Sequence, residues 1–319
     1  MSTKPLIVRL RNWVGDVVLG LPLLQRLQSA GYSLHLVGKG WAPDLLAGTG
    51  WPVQVLARST RERVDQFRRL RQQALLEDPA AGRRIHALAL PYSLSSALEM
   101  RLAGLRAIGH QHEGRGWLLS RAVPRSSTQH EMAVYWELGN ALLGRDAPLP
   151  DRIRLPLAPA HEQQALAVRQ QLGLRPGYVV VCPFAGGSFD KRDKCWPDFP
   201  RWVEQALPSL GRDVLICPGP GDEETVARRD YPGCHLAHGV GLGAYAALLR
   251  DAALVVANDT GPGHLAAAVG APLLSVLGPT DPARWGAVGP TVHIMRQGTD
   301  GWPGLDAVAA QAQRLLAGD

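Results

Sequence analysis

The chain has 319 residues, 46% of them hydrophobic and 19% charged, a composition that excludes a disordered chain and leaves room for two domains of about 150 residues each. Lys and Arg number 34 against 28 Asp and Glu, and the net charge of +6 favours anionic partners such as phosphates, nucleic acid or an acidic membrane face. No apolar run approaches the roughly 18–20 residues that span a bilayer, and the cysteines (Cys182, Cys195, Cys217, Cys234) follow neither metal-site nor disulfide spacing.

The N-terminus reads as a strand, "LIVRL", in which Arg9 interrupts any signal-peptide core, as Arg11 does just beyond, so a cytoplasmic protein is expected. Strand-like runs continue with "LHLVGK", "VQVLA" and "IHALAL", and "VVLGLPLLQRLQSAG" shows apolar residues every three or four positions. The proline-rich "DAPLPDRIRLPLAPA" (146–160) breaks the periodicity. Beyond it the pattern restarts with the helix "HEQQALAVRQQLG". Strands "YVVVCP", "DVLICP", "AALVVAND" and "PLLSVLG" follow, spaced by helical "RWVEQALPSL", "LGAYAALLRD" and "GHLAAAVG". Such alternation implies right-handed βαβ units around parallel sheets covered on both faces. The expected fold class is α/β, with two Rossmann-like doubly wound domains, 1–156 and 157–319, facing a central cleft. Ligands of such folds sit beyond the carboxyl ends of the strands. Cys182 and Cys217 close apolar strands and read as buried thiols.

Four strand-to-loop junctions hold unusual polar residues. In "LIVRLRNWVGDVVLGLP", Asp16 is either a helix N-cap or a carboxylate aimed into the cleft, kept ionised by the helix N-terminus as a base must be. In "VVVCPFAGGSFDKRDKCWP", Gly186, Gly187 and Ser188 allow close backbone approach to a phosphate, beside Lys191, Arg192 and Lys194; a solvated glycine turn is the plainer alternative. In "ICPGPGDEETVARR", Asp222 and Glu223 suit either a nucleoside or the helix dipole. In "AALVVANDTGPGHLAAAVG", a helix with Pro262 in its first turn leaves its N-terminal N–H groups open to an anion, surrounded by Asp259, Thr260 and His264.

Other features carry less. "GVGLGAYAALL" approaches a dinucleotide fingerprint, but "CHLAH" before it is a poor strand and the acid that follows is Asp259, so the match reads as chance. His110, His112 and Glu113 fall in an apparently flexible loop without a companion ligand set, and no metal is expected there. Arg58, Arg61, Arg63, Arg68, Arg69 and Arg71 form one basic cluster; Arg115, Arg121 and Arg125, with Trp117 among them, form another. These suit an acidic acceptor or anionic lipid surface, or else a solvated helix face.

With these residues assembled, the chain resembles the bacterial heptosyltransferases of glycosyltransferase family 9. The resemblance rests on "NWVGDVVLGLP", Lys194-x-Trp-Pro197, "GPGDEE" at 219–224 and "NDTGPGHLAAAVGAPLLSVLGPTDP", in family order along nearly the whole chain. It implies the GT-B arrangement, with an N-terminal acceptor domain and a C-terminal nucleotide-sugar domain. It further implies inverting transfer of heptose from ADP-heptose to an acidic lipopolysaccharide inner-core precursor, without cofactor or metal. By motif Asp16 falls on the catalytic base and Lys194 on the lysine at the donor diphosphate. Asp259, Thr260, Gly261 and His264 fall on the donor-binding turn, with Gly187, Ser188 and Glu223 as further donor contacts and Arg61, Arg63 and Arg121 for the acceptor. A monomer is expected, bound peripherally at the cytoplasmic face of the inner membrane and without nucleic acid. A nucleotide-sugar epimerase and a non-catalytic nucleotide-binding module are the rival readings: Asp16 counts against the module and the first domain's arginine clusters against the epimerase.

Overall fold

The structure is a computed structural model describing residues 4–318 except 187, 190, 206, 229, 230 and 298–300; at 188, 189, 207, 209, 227 and 228 it describes the backbone alone. The chain divides into two compact units, Met1–Pro150 and Asp151–Asp319, and the break falls inside the proline-rich stretch.

In the first unit six strands, β1 (Lys4–Arg9), β2 (Tyr32–Gly38), β3 (Val53–Val55), β4 (Ala87–Ala89), β5 (Ala107–His110) and β6 (Arg121–Val123), form one parallel sheet ordered β3-β2-β1-β4-β5-β6. Helices α1 (Val14–Ser29), α2 (Ala42–Leu45), α3 (Thr60–Glu77), α4 (Leu94–Leu102) and α5 (Glu131–Leu143) complete it. A strand covered on both faces needs apolar residues at successive positions, and Leu6, Ile7 and Val8 of β1 are all fully buried. Ile7 meets Phe67 and Leu70 of α3 and Met100 of α4 in one cluster. Helices α1 and α5 pack against each other. They cross closely at Gly139, where an added Cβ would lie 2.8 Å from Leu23 Cδ1. Helix α3 opens on a capping box: the Ser59 hydroxyl accepts the Glu62 amide and the Glu62 carboxylate accepts the Ser59 amide.

The second unit runs α6 (Pro159–Leu172), β7 (Val179–Cys182), the two-residue strands β8 (Ser188–Phe189) and β9 (Arg192–Asp193), α7 (Phe199–Gln205), β10 (Val214–Ile216), α8 (Glu223–Arg228), β11 (Cys234–Leu236), α9 (Leu242–Arg250), β12 (Leu254–Ala257), α10 (Gly261–Val269), β13 (Leu273–Val276), α11 (Pro282–Trp285), β14 (Val292–Met295) and α12 (Leu305–Ala317). Its main sheet is again parallel, ordered β11-β10-β7-β12-β13-β14. Trp196, Phe199 and Trp202 lie 5.4–6.4 Å apart, centroid to centroid, and anchor its core with Val179, Val181 and Val256.

Each sheet thus has its third strand at one edge, its first in the middle and its fourth beside the first. That order places a switch point, where connections leave in opposite directions, at the β1/β4 and β7/β12 strand ends. Among the described residues no helix is long and apolar enough to cross a membrane.

Two expectations change. "CHLAH" does form a strand, β11, but one of three half-buried edge residues, too short and too wet to carry an apolar signal. Gly243 in the fingerprint-like stretch after it serves helix packing: a Cβ there would come within 2.2 Å of the buried His161 imidazole on α6. The stretch around His110 is also no free loop. His110 closes β5 and is buried, Nε2 lying 2.8 Å from the Val134 carbonyl and Nδ1 3.3 Å from that of Pro124.

Candidate active site

In the first unit the polar groups gather where β1, β4, β5 and β6 end. Asp16 is the third residue of α1, not its N-cap; Trp13 holds that position and makes no side-chain capping bond. The Asp16 carboxylate is therefore spared for other partners. Arg11 Nε donates to Oδ2 at 3.2 Å and the Tyr135 hydroxyl to Oδ1 at 3.3 Å. The Arg11 guanidinium also lies 4.3 Å from the centroid of the Tyr92 ring, and Arg125 approaches the same ring at 4.3 Å. The Tyr92 hydroxyl donates to fully buried Glu131, which also accepts Arg125 at 3.2 Å. One connected set of alternating charges and rings thus fixes Asp16 at the head of α1. Of this set the sequence pointed to Asp16, and to Arg125 only as one member of a basic cluster. Arg11 stood five residues away in plain view, whereas Tyr92, Glu131 and Tyr135 are brought in only by the sheet order.

In the second unit Asn258 is the hub. Fully buried at the end of β12, its side chain donates to the Pro183 carbonyl beyond β7 at 2.8 Å and accepts the Trp196 amide at 2.9 Å. It therefore ties three loops together, and Lys194 and Asp259 sit beside those anchors. Lys194 Nζ donates to the Asp259 carbonyl at 3.2 Å and lies 3.8 Å from its carboxylate, while His264 Nε2 lies 3.8 Å from the other carboxylate oxygen. Burial works against the Asp259 charge, but His264, Lys194 and Thr280 outweigh it and hold the carboxyl below the usual range.

Thr260 is the N-cap of α10 by backbone, yet its side chain makes no cap bond. Thr260 Oγ1 and His264 Nδ1, both buried, find no hydrogen-bond partner among the described residues. Unpaired polar atoms cost about 1–3 kcal/mol each when kept from water, so two at the start of one helix suit a ligand that pairs them. Gly261 is the first residue of that helix. A cavity of about 410 Å³ lined by Arg192, Asp193, Cys195, Trp196, Pro197, Pro279 and Trp302 adjoins the Lys194 segment.

The remaining expected residues scatter. Gly187 and the Ser188 side chain lie outside the described residues; the Ser188 backbone pairs with Asp193. The described backbone pairs 188–189 with 192–193 as short antiparallel strands, with Lys191 at φ +63°. Asp222 turns inward to accept the Gly219 amide at 3.0 Å, and burial raises its carboxyl above the usual range. Glu223 points to solvent and meets His238 at 2.6 Å. Of the arginines, Arg61 is exposed. Arg63 is bonded to the Ala57 and Arg58 carbonyls and to Glu99, so its donors serve the fold. Arg121 is exposed and caps the Ala141 carbonyl near the end of α5. Arg115, grouped above with the partner-facing arginines, is fully buried and bonded to the His110, Pro91 and Ser93 carbonyls; burial pulls its guanidinium down to about 10.

Two Rossmann-like units, each a parallel sheet with polar groups at its switch point, make up the fold of a GT-B glycosyltransferase. The sequence profile of glycosyltransferase family 9 (heptosyltransferase) matches residues 85–309. The chain belongs to that family. The lipopolysaccharide heptosyltransferase 3 of Escherichia coli (strain K12) is 32% identical over 123 residues, which are 36% of this chain and 34% of that protein. The chain's match therefore spans about a third of the curated relative. Among solved structures, E. coli ADP-heptose lps heptosyltransferase II superposes with a TM-score of 0.77 at 21% identity, covering 98% of this chain and 99% of the other. The E. coli heptosyltransferase WaaC with ADP-2-deoxy-2-fluoro heptose gives 0.68 at 21%, covering 97% and 99%. At such identities these two show a shared fold.

Proposed function

We propose that the chain transfers a heptose from ADP-heptose to a hydroxyl of a lipopolysaccharide inner-core precursor, inverting the anomeric centre. The observation that carries the reading is the Lys194–Asp259–His264 group at the start of α10, with its two unpaired buried atoms, in a chain of this family. A lysine, a helix N-terminus, a hydroxyl and an imidazole converging on one spot match the charge of a diphosphate. Family membership argues against the epimerase reading, since the family is one of transferases.

In the reaction the acceptor oxygen attacks the anomeric carbon as the bond from that carbon to the ADP oxygen breaks. The acceptor proton passes to Asp16, and ADP leaves with the electron pair. Lys194 and the α10 N–H groups stabilise the charge that gathers on the departing diphosphate. Asp259 orients Lys194 and His264 between its own two oxygens. Glu223 serves as the nucleoside contact, Asp222 being used within its turn, and the 186–188 segment lies against the diphosphate. Arg61 and Arg121 meet the acidic acceptor, with Arg63 holding the loop before α3. The chain acts as a monomer, bound peripherally at the cytoplasmic face of the inner membrane.

The test is to incubate the purified chain with ADP-heptose and core acceptors of defined length, following product mass and ADP release. Addition of one heptose with one ADP per turnover supports the proposal. ADP-heptose consumed without an acceptor, or no turnover with any core acceptor while another nucleotide sugar is used, sinks it.

A further inference from the structure

Helix α4 turns its apolar side chains the unexpected way. Its inward face carries Ser96, Ala97, Glu99 and Met100, and its outward face Leu94, Leu98 and Leu102, four residues apart and all exposed, with Arg101 between them. The 3₁₀ turn Arg115–Leu118 packs beside this helix, pinned by Arg115 to the Ser93 carbonyl and the Ser96 hydroxyl at its start. That turn holds Trp117 76% exposed. Packing inside the unit explains none of these four side chains.

The charges around the stripe are basic. Arg68 of α3 reaches the Leu102 carbonyl at 3.4 Å, so α3 borders the stripe, and Arg61 lies two turns earlier on the same side of α3. The acids of this face are engaged: Asp65 with Arg68, Glu62 in the Ser59 cap. Arg61, Arg69 and Arg101 are exposed without an ion pair among the described residues. Leucines and a tryptophan rimmed by uncompensated arginines match the boundary of an anionic bilayer, where apolar side chains enter the headgroup region and guanidinium groups meet phosphate.

We propose that the α4 stripe and Trp117 form the docking surface of this chain for an anionic lipid bilayer. The inference deepens the reading above, which sets the chain at a membrane face, and its test lets the two fail separately. The full chain is sedimented with phosphatidylcholine vesicles with and without phosphatidylglycerol, as wild type and as the double variant Leu98→Ser/Trp117→Ser. Both substitutions lie on the surface, and matching circular dichroism melts establish that the variant folds. The wild type is expected to pellet with the anionic vesicles alone, and the variant to bind at least about 10-fold more weakly. Transfer to a soluble, deacylated acceptor is expected to be unchanged in the variant. Equal vesicle binding by both proteins overturns the proposal. So does a wild-type dimer in sedimentation velocity that the substitutions dissociate while vesicle binding stays unchanged, because the stripe is then a contact between copies. Vesicle binding lost in the variant, with no sugar transfer by either protein, supports the surface and overturns the transferase reading.

Discussion

The Tyr135 hydroxyl donates to Asp16 across 119 residues of sequence, from one turn inside α5 to the head of α1. Tyr135 is fully buried, and burial with the neighbouring Asp16 charge pushes its hydroxyl well above the usual range. At working pH it is therefore a fixed neutral donor that orients the carboxylate while Arg11 holds the other oxygen. Tyr135→Phe keeps the ring packed and removes one bond of about 1 kcal/mol. Turnover is expected to fall roughly 3–10-fold with ADP-sugar affinity unchanged. A fall in affinity with kcat intact would mean that the hydroxyl does not act through Asp16.

Asp16→Asn should still fold, since Trp13 rather than Asp16 is the N-cap and the amide oxygen of Asn can still accept from Arg11 or Tyr135. The variant loses the group proposed to take the acceptor's proton, an effect of about 10²–10⁴-fold for a positioned base. Calorimetry should show unchanged ADP binding and the transfer assay a loss of at least about 10²-fold. Wild-type turnover here, combined with an inactive Asp259→Asn that still binds donor, would exchange the two roles.

Lys194→Ala removes the charge proposed to contact the departing diphosphate. The expected loss is about 2–4 kcal/mol in kcat/KM, as for one preorganised donor, with weaker donor binding. Unchanged kcat/KM would move the role to Lys191 or Arg192.

Asn258→Ala leaves the Trp196 amide and the Pro183 carbonyl unpaired in a dry interior. Chemical denaturation should show a loss of about 2–4 kcal/mol. Wild-type stability would mean that the three loops hold together without it.

Acid should weaken the first unit earlier than its carboxylates require. Burial lowers His86 and His110 below their ordinary value of 6.5, outweighing the carbonyls beside them. A depressed folded pKa means the unfolded chain binds the extra proton first. Stability is then fully present above about 6.5 and lost as the pH falls through the folded values. Tm should drop between pH 7.5 and 5, and His110→Gln should flatten the drop; an identical slope in both proteins would remove His110 from the account.

The sequence shows the strands of both sheets best where an uninterrupted apolar run carries them, as Leu6–Val8 does in β1 and Leu254–Ala257 in β12. It hides β11 and β14, which are only partly buried, and also β5, buried throughout but broken by Gly109 and His110. Local chemistry was equally legible: the acid at the head of α1 and the Asn258–His264 turn each sit within one motif. What stayed hidden depends on distant pairing. Tyr92, Glu131 and Tyr135 look like ordinary core or surface residues until parallel pairing sets the ends of β1, β4 and β5 side by side. Arg63 and Arg115 misled for the opposite reason: arginines counted as free charge turn out to be tied to backbone carbonyls.

The placement of the tryptophans makes the chain its own optical instrument. Trp196 and Trp202 are sealed in the core, and the Trp196 amide is bonded to the same asparagine that carries the Asp259 turn. Trp13 and Trp117 stand largely in water. Indoles in these two settings emit at different wavelengths, the dry pair to the blue of the wet pair. A nucleotide settling beside Lys194 would perturb the blue edge of the emission, and Trp117 leaving water would shift the red edge. With the other five tryptophans of the chain as a constant background, the two events fall at opposite edges of one spectrum, without a label.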